Sequence, residues 1–276
     1  MVEKIAIGTV QFGLNYGISN SAGQTSLEEV QKILLIARNN AIDTIDTAKA
    51  YGESENILGT AGCSDFKIIS KFIHTETREQ LESQLQQSLK ALRVNKLHGY
   101  LAHRTEDIIR NPEIWATLKK LKEENKISKI GFSFNTVQEY ESAISNQFIP
   151  DIVQVPYNYF DNRFEKAIQT LKEDYNTEIH VRSAFLQGLF FMNTNQLADF
   201  FQPVKSILEN IQNEHLPAQL LYHVAKNKNV DKVVTGLNDS YQLIQNIAQL
   251  QTNFPPLPDQ SFNPPEHIIT PSLWKK

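Results

Sequence analysis

Cysteine is nearly absent. Cys63 is the only one in 276 residues, so no internal disulfide can staple the chain, and the composition suits a reducing compartment. No apolar run approaches the roughly 20 residues that a bilayer crossing needs. The opening Met1-Val2-Glu3-Lys4-Ile5 does not have the shape of a signal peptide. Excess charge is small: the net charge of -4 gives no indication of a nucleic-acid backbone as partner. Neither a G-x-G-x-x-G nor a P-loop pattern occurs, which argues against an open doubly wound sheet, the runner-up fold. These absences leave a cytoplasmic protein without membrane or nucleic-acid partners. Its 41% hydrophobic residues suffice for a full core.

What is present alternates. Short β-branched runs, predicted as strands over residues 4–8, 42–46, 67–71, 98–102, 129–132, 151–155, 178–182 and 231–234, are separated by longer amphipathic stretches. Leu27, Val30, Leu34 and Ala37 mark one helix face, and Leu81, Leu85, Leu89 and Leu92 another. Three S/T-x-x-E/Q capping boxes, Ser26/Glu29, Thr77/Gln80 and Thr136/Glu139, announce helix starts. Pro112 reads as a first-turn proline. Eight strand-helix units without a linker predict an α/β fold, a single (β/α)8 TIM barrel over residues 1–276. The tail, 253–276, differs: Pro255, Pro256, Pro258, Pro264, Pro265 and Pro271 forbid a long helix. It reads either as an extended strap around the barrel or as a flap whose Phe262 or Trp274 lines a pocket.

The chemistry gathers at three successive strand ends. Asp46 opens the run Asp46-Thr47-Ala48-Lys49-Ala50-Tyr51-Gly52; Lys71 ends the next strand, and His103 follows the one after. In such a barrel the C-terminal strand ends form the active face. Neighbouring strands about 4.8 Å apart would bring Asp46 and Lys71 within ion-pair reach, with His103 one strand further. Taken singly, each residue has an ordinary reading: Asp46 as a helix cap, Lys71 as a rim ion pair, His103 as a packed polar side chain, Tyr51-Gly52 as a turn. Together they describe a proton donor. A neighbouring ammonium favours a phenolate, Asp46 keeps Lys71 charged, and Tyr51 becomes a workable general acid toward a carbonyl oxygen that His103 orients. The four groups supply no electron pair, so a reductase built on them needs a hydride donor such as a nicotinamide. A Schiff-base aldolase using Lys71 would leave Tyr51 and Asp46 without clear work.

At this point the residues resemble the aldo-keto reductase family over nearly the whole chain. The Asp-Thr-Ala-x-x-Tyr-Gly run followed by Glu53 and Glu55 is similar to its most specific signature. Ser70-Lys71-Phe72 and Tyr100-Leu101-Ala102-His103 are similar to its lysine and histidine strands. The resemblance implies a catalytic set of Tyr51, Lys71, Asp46 and His103, a small-molecule carbonyl substrate, with sugar-like compounds among the candidates, and NADP(H) or NAD(H) bound extended across the barrel mouth, with no metal. It also implies cofactor contacts from Gly8 and Thr9 beneath the nicotinamide, beside Asp46. Ser133 and Gln154 would lie at the carboxamide, Ser183 and Gly188 at the pyrophosphate, and Gly236 with Gln242 through Asn246 at the adenosine end. A non-catalytic nicotinamide-binding regulatory subunit is the alternative within the resemblance. Three positions depart from the family pattern. Phe134 stands where Asn often follows the carboxamide serine, with Asn135 one place on. Arg182 stands where a nicotinamide-stacking tyrosine is frequent, and a guanidinium can also stack. Residues 235–242 carry no cation and include Asp239, which predicts weakened preference for the 2′-phosphate of NADP. Arg104, Asn158 and Gln187 are polar candidates for the substrate mouth.

Overall fold

The computed structural model describes residues 1–18, 20, 22–259 and 263–274. Eight parallel strands close into a barrel in the order of the chain: β1 Ile5–Gly8, β2 Thr44–Asp46, β3 Lys67–Phe72, β4 Leu97–Ala102, β5 Ile127–Ser133, β6 Ile152–Pro156, β7 Glu178–Arg182 and β8 Lys232–Gly236. β1 and β6 are buried along their whole length, as expected where helices cover the outside and side chains fill the inside. The predicted (β/α)8 barrel is therefore the observed fold. Differences are local. Residues 2–4 form a 3-10 turn ahead of β1, β2 begins only at Thr44, and β3 and β8 run one and two residues further than expected. Helices Val10–Gly13 and Thr105–Arg110 are too short for periodicity to show.

Local signals set the helices. Thr77 and Thr136 each form a complete capping box with Gln80 and Glu139. The Ser26 box is half made. The Ser26 hydroxyl accepts from the Glu29 amide, but the Glu29 carboxylate turns away to accept from the Ser240 amide at 2.7 Å and from the Ser240 hydroxyl. On that helix Val30, Ile33, Leu34 and Ala37 are buried, while Leu27 lies exposed at its first turn.

A second apolar cluster stands beside the barrel core. Tyr159 and Phe160 after β6, Leu186, Leu189 and Phe190 after β7, the helices around Leu208 and Leu220, and Ile268 and Ile269 of the tail pack together. It walls one side of the barrel mouth. The tail joins it as a strap: Tyr159 donates to the Pro258 carbonyl at 2.9 Å, and Gln219 Nε2 to that of Pro255 at 2.7 Å. Trp274 donates to the Ile268 carbonyl at 3.0 Å and meets Phe201 edge-on at 5.1 Å. Its ring is spent on this cluster, which answers to the strap rather than to the flap; Phe262 lies outside the described residues. Among the described residues, no helix is long and apolar enough to cross a membrane.

Candidate active site

The motif loop is held by its own backbone before any chemistry is considered. Gly8 pairs in register with Asp46 on one side and Gly236 on the other, so three predicted positions lie side by side at the rim. Thr9 donates its amide (3.1 Å) and hydroxyl (3.0 Å) to the Asp46 carbonyl. Thr47 donates to the Ile69 carbonyl at 2.8 Å and Lys49 to that of Lys71 at 3.0 Å, which stitches the loop to β3. Ser54 and Glu55 then anchor the helix Ser54–Ala61. The Ser54 hydroxyl lies 3.0 Å from the Thr9 carbonyl oxygen and 2.8 Å from its hydroxyl. The buried Glu55 carboxylate accepts from Ser70 (2.6 Å) and Ser88 (3.0 Å). Gly13 and Gly52 allow the β1 and β2 loops to touch. A Cβ on Gly13 would fall 1.7 Å from the Tyr51 carbonyl oxygen, and Gly52 adopts φ +55°.

The stagger of the barrel decides which residues meet. Asp46 pairs with Ile69, and Lys71 pairs with Leu101, so each partner sits two residues further along than its neighbour. The long Lys71 side chain reaches back across that step. Its Nζ, fully buried, donates to Asp46 Oδ1 at 2.7 Å and to the Thr47 carbonyl at 3.0 Å, and lies 5.1 Å from the centre of the Tyr51 ring. Burial pulls the Lys71 pKa down, but Asp46 and Tyr51 outweigh it and hold the ammonium above its ordinary value. His103 follows β4 directly, its amide donating to the Phe72 carbonyl at 3.3 Å, and its ring meets Tyr51 edge-on with centroids 6.3 Å apart. Burial, then Lys71 and Arg182, push its pKa down to about 4, so the imidazole is neutral near pH 7 and keeps one N–H to donate. The structure thus brings Asp46, Tyr51, Lys71 and His103 to one point.

The remaining predicted positions divide into two ends. At the near end, Ser133 and Gln154 are buried and paired in register; the Ser133 hydroxyl donates to Gln154 Oε1 at 3.4 Å. Gln154 Nε2 donates to Asp46 Oδ2 at 2.7 Å, a contact sequence reasoning missed because 108 positions separate the two. Arg182 spans from β7 to the end of β5, donating to Asn135 Oδ1 (2.6 Å) and the Phe134 carbonyl (3.2 Å). Asn135, two places on from the serine, is thereby used. Ser183 (φ +66°), Leu186, Gln187 and Gly188 (φ +92°) form a loop of left-handed turns after β7. At the far end, Gly236 packs on Gln11, whose Oε1 is buried without a partner among the described residues. Asp239 caps the helix Ser240–Leu250 by accepting from the Gln242 amide at 2.8 Å, and Asn246 is buried on that helix.

The three mouth candidates separate. Asn158 accepts from the amides of Phe160 and Asp161 through Oδ1, while its buried Nδ2 has no acceptor among the described residues. Arg104 is exposed ahead of the helix Thr105–Arg110. Gln187 donates from Nε2 to the Tyr16 hydroxyl at 2.7 Å, while its carbonyl accepts from the Ile18 amide at 3.1 Å, so the loops after β1 and β7 meet across the mouth.

The comparisons with known proteins agree with this fold. The sequence model of the aldo/keto reductase family matches residues 4–263. An aldo-keto reductase of Bacillus subtilis strain 168 is 25% identical over 183 residues, 60% of this chain and 54% of that protein, so the aligned part spans about half the relative's length. Two solved structures share the fold. The holo form of a Bacillus halodurans aldo-keto reductase covers 92% of this chain and 88% of its own, at TM-score 0.75 and 18% identity. A Pseudomonas aeruginosa protein assigned provisionally to the same group covers 89% and 88%, at TM-score 0.69 and 24% identity. By its strand order, its clustered rim residues and a family match over nearly its whole length, the chain belongs to the aldo/keto reductase family.

Proposed function

We propose that the protein is a nicotinamide-dependent oxidoreductase that reduces an aldehyde or ketone to the alcohol, with Tyr51 as proton donor. The observation that carries this reading is the fully buried Lys71–Asp46 pair against the Tyr51 ring. As the substrate oxygen gains charge, Tyr51 gives it the hydroxyl proton. The Lys71 ammonium stabilises the phenolate left behind, and Asp46 keeps that ammonium in place. Neutral His103 donates a hydrogen bond to the same oxygen and orients the carbonyl. The raised pKa of Lys71 argues against the aldolase reading, since an imine-forming lysine must be neutral.

The residues present suit a dinucleotide. Gln154 Oε1 makes only a long contact to Ser133 and keeps acceptor capacity for a carboxamide. The left-handed loop from Ser183 to Gly188 can aim amides at a pyrophosphate. The unpaired Gln11 Oε1 beside Gly236 is an acceptor at the adenosine end. Thr9, with both donors given to the Asp46 carbonyl, contributes by placing Asp46. The cofactor, when bound, supplies the hydride. At the adenosine end the amides of Ser240 and Gln242 already serve two carboxylates, Glu29 and Asp239, and Glu29 is held at a pKa of about 2 by the Ser240 hydroxyl and amide. A 2′-phosphate there would meet like charge, which supports weakened NADP preference. The test is loss of reduced-nicotinamide absorbance across a panel of aldehydes, ketones and open-chain sugars. Turnover with at least one carbonyl class is expected, with NADH serving as well as NADPH. Tight binding of either cofactor with no turnover across the panel contradicts the catalytic reading, and NADPH bound a hundredfold tighter contradicts the cofactor reading.

A further inference from the structure

The Asp46 carboxylate is shared between two partners from opposite sides of the barrel. Lys71, on the neighbouring β3, donates to Oδ1, and Gln154, on β6, donates to Oδ2, both at 2.7 Å. β6 is four strands from β2 in a ring of eight, so the Gln154 side chain crosses the barrel interior to make this bond. Ser133 on β5 extends the line from the other end of the amide at 3.4 Å. Ser133, Gln154, Asp46 and Lys71 are each at most 3% exposed, so water does not substitute for any of these contacts. We propose that Gln154 is a positioning residue of the proton relay: its amide N–H fixes the rotamer of Asp46, and through Asp46 the aim of Lys71 at Tyr51.

A buried carboxylate oxygen without a donor costs the desolvation of a charged group. Without the Gln154 donor the Asp46 carboxylate turns away from its present rotamer, and the Lys71 ammonium loses the contact that holds it. The geometry also leaves Gln154 able to serve a cofactor. Nε2 has a second N–H and Oε1 has acceptor capacity, so a carboxamide can be met without releasing Asp46. One side chain would then tie the nicotinamide end of the site to the geometry of the relay. This inference rests on the relay reading of Tyr51 given above.

The test is Gln154→Met, which keeps length and removes the donor, with Gln154→Asn as the second variant because its shorter amide cannot span the barrel. In either variant kcat is expected to fall about ten- to a hundredfold, the worth of one charge-assisted hydrogen bond. The solvent deuterium isotope effect on single-turnover reduction should rise, because the proton step is the one that slows. An unchanged isotope effect, even with weaker cofactor binding, would overturn the proposal and leave Gln154 as a cofactor contact alone. If Tyr51→Phe retains full turnover, it is the relay reading itself that fails, which the Gln154 variants alone would not show.

Discussion

Lys71 carries a charge with no solvent on it, and everything around it is arranged to make that tolerable. Asp46 neutralises it, the Thr47 carbonyl accepts a second hydrogen bond from it, and the Tyr51 ring lies against it. Removing one partner of such a pair strands the other. Lys71→Met should therefore destabilise the protein by about 3–5 kcal/mol as well as abolish turnover, and a double variant Lys71→Met with Asp46→Leu should recover much of the stability and none of the activity. Denaturant unfolding of the three proteins checks this; full stability in Lys71→Met would contradict the buried pair. At this scale the proposed proton-donating set was legible because Asp46, Lys71 and His103 lie at the ends of consecutive strands, and strand ends can be counted along a sequence. The bond from Gln154 to Asp46 was not, because it depends on which strands face each other across a closed ring. Gly13 carries no sequence signal either: what forces it is the Tyr51 carbonyl from a loop some 40 positions away.

Among the elements, local rules held where the interaction was local. The boxes at Thr77 and Thr136 close within four residues and formed as read. The box at Ser26 opened because a better use of Glu29 existed 211 positions away, at the first turn of the helix Ser240–Leu250. An anion there is favoured by the helix N-terminus, and Glu29 supplies it from within the chain. Glu29→Gln, which removes that charge while keeping an acceptor, is expected to raise kcat/KM for NADPH relative to NADH by about three- to tenfold, the scale of one helix-terminus charge. Steady-state kinetics with both cofactors at low ionic strength measure it, and an unchanged ratio would remove Glu29 from cofactor choice. Strand boundaries moved by one or two residues for a related reason: pairing in a sheared barrel, rather than β-propensity, decides where a strand stops.

For the molecule as a whole, alternation of strand and helix predicted the barrel, while the satellite cluster escaped because it joins distant segments through irregular 3-10 turns and a proline-rich tail. The packing around the two cores also shapes pH behaviour. Burial and nearby cations push His103 and His223 down to about 4, against about 6.5 for a free histidine. Below pH 6.5 the unfolded chain takes up protons that the folded one refuses, so this stability is complete above that pH and is lost as pH falls toward 4. The thermal midpoint should thus decline between pH 6.5 and 4, and His103→Gln with His223→Gln should flatten that decline; an equal slope in the double variant would contradict the buried neutral imidazoles.

The central claim is that Tyr51 delivers the proton. Single-turnover carbonyl reduction by Tyr51→Phe, with cofactor affinity measured on the same preparation, tests it most directly. The account predicts a rate lowered about 10²- to 10⁴-fold, the range of general acid catalysis, with cofactor affinity near that of the unaltered protein. An unchanged single-turnover rate would contradict it.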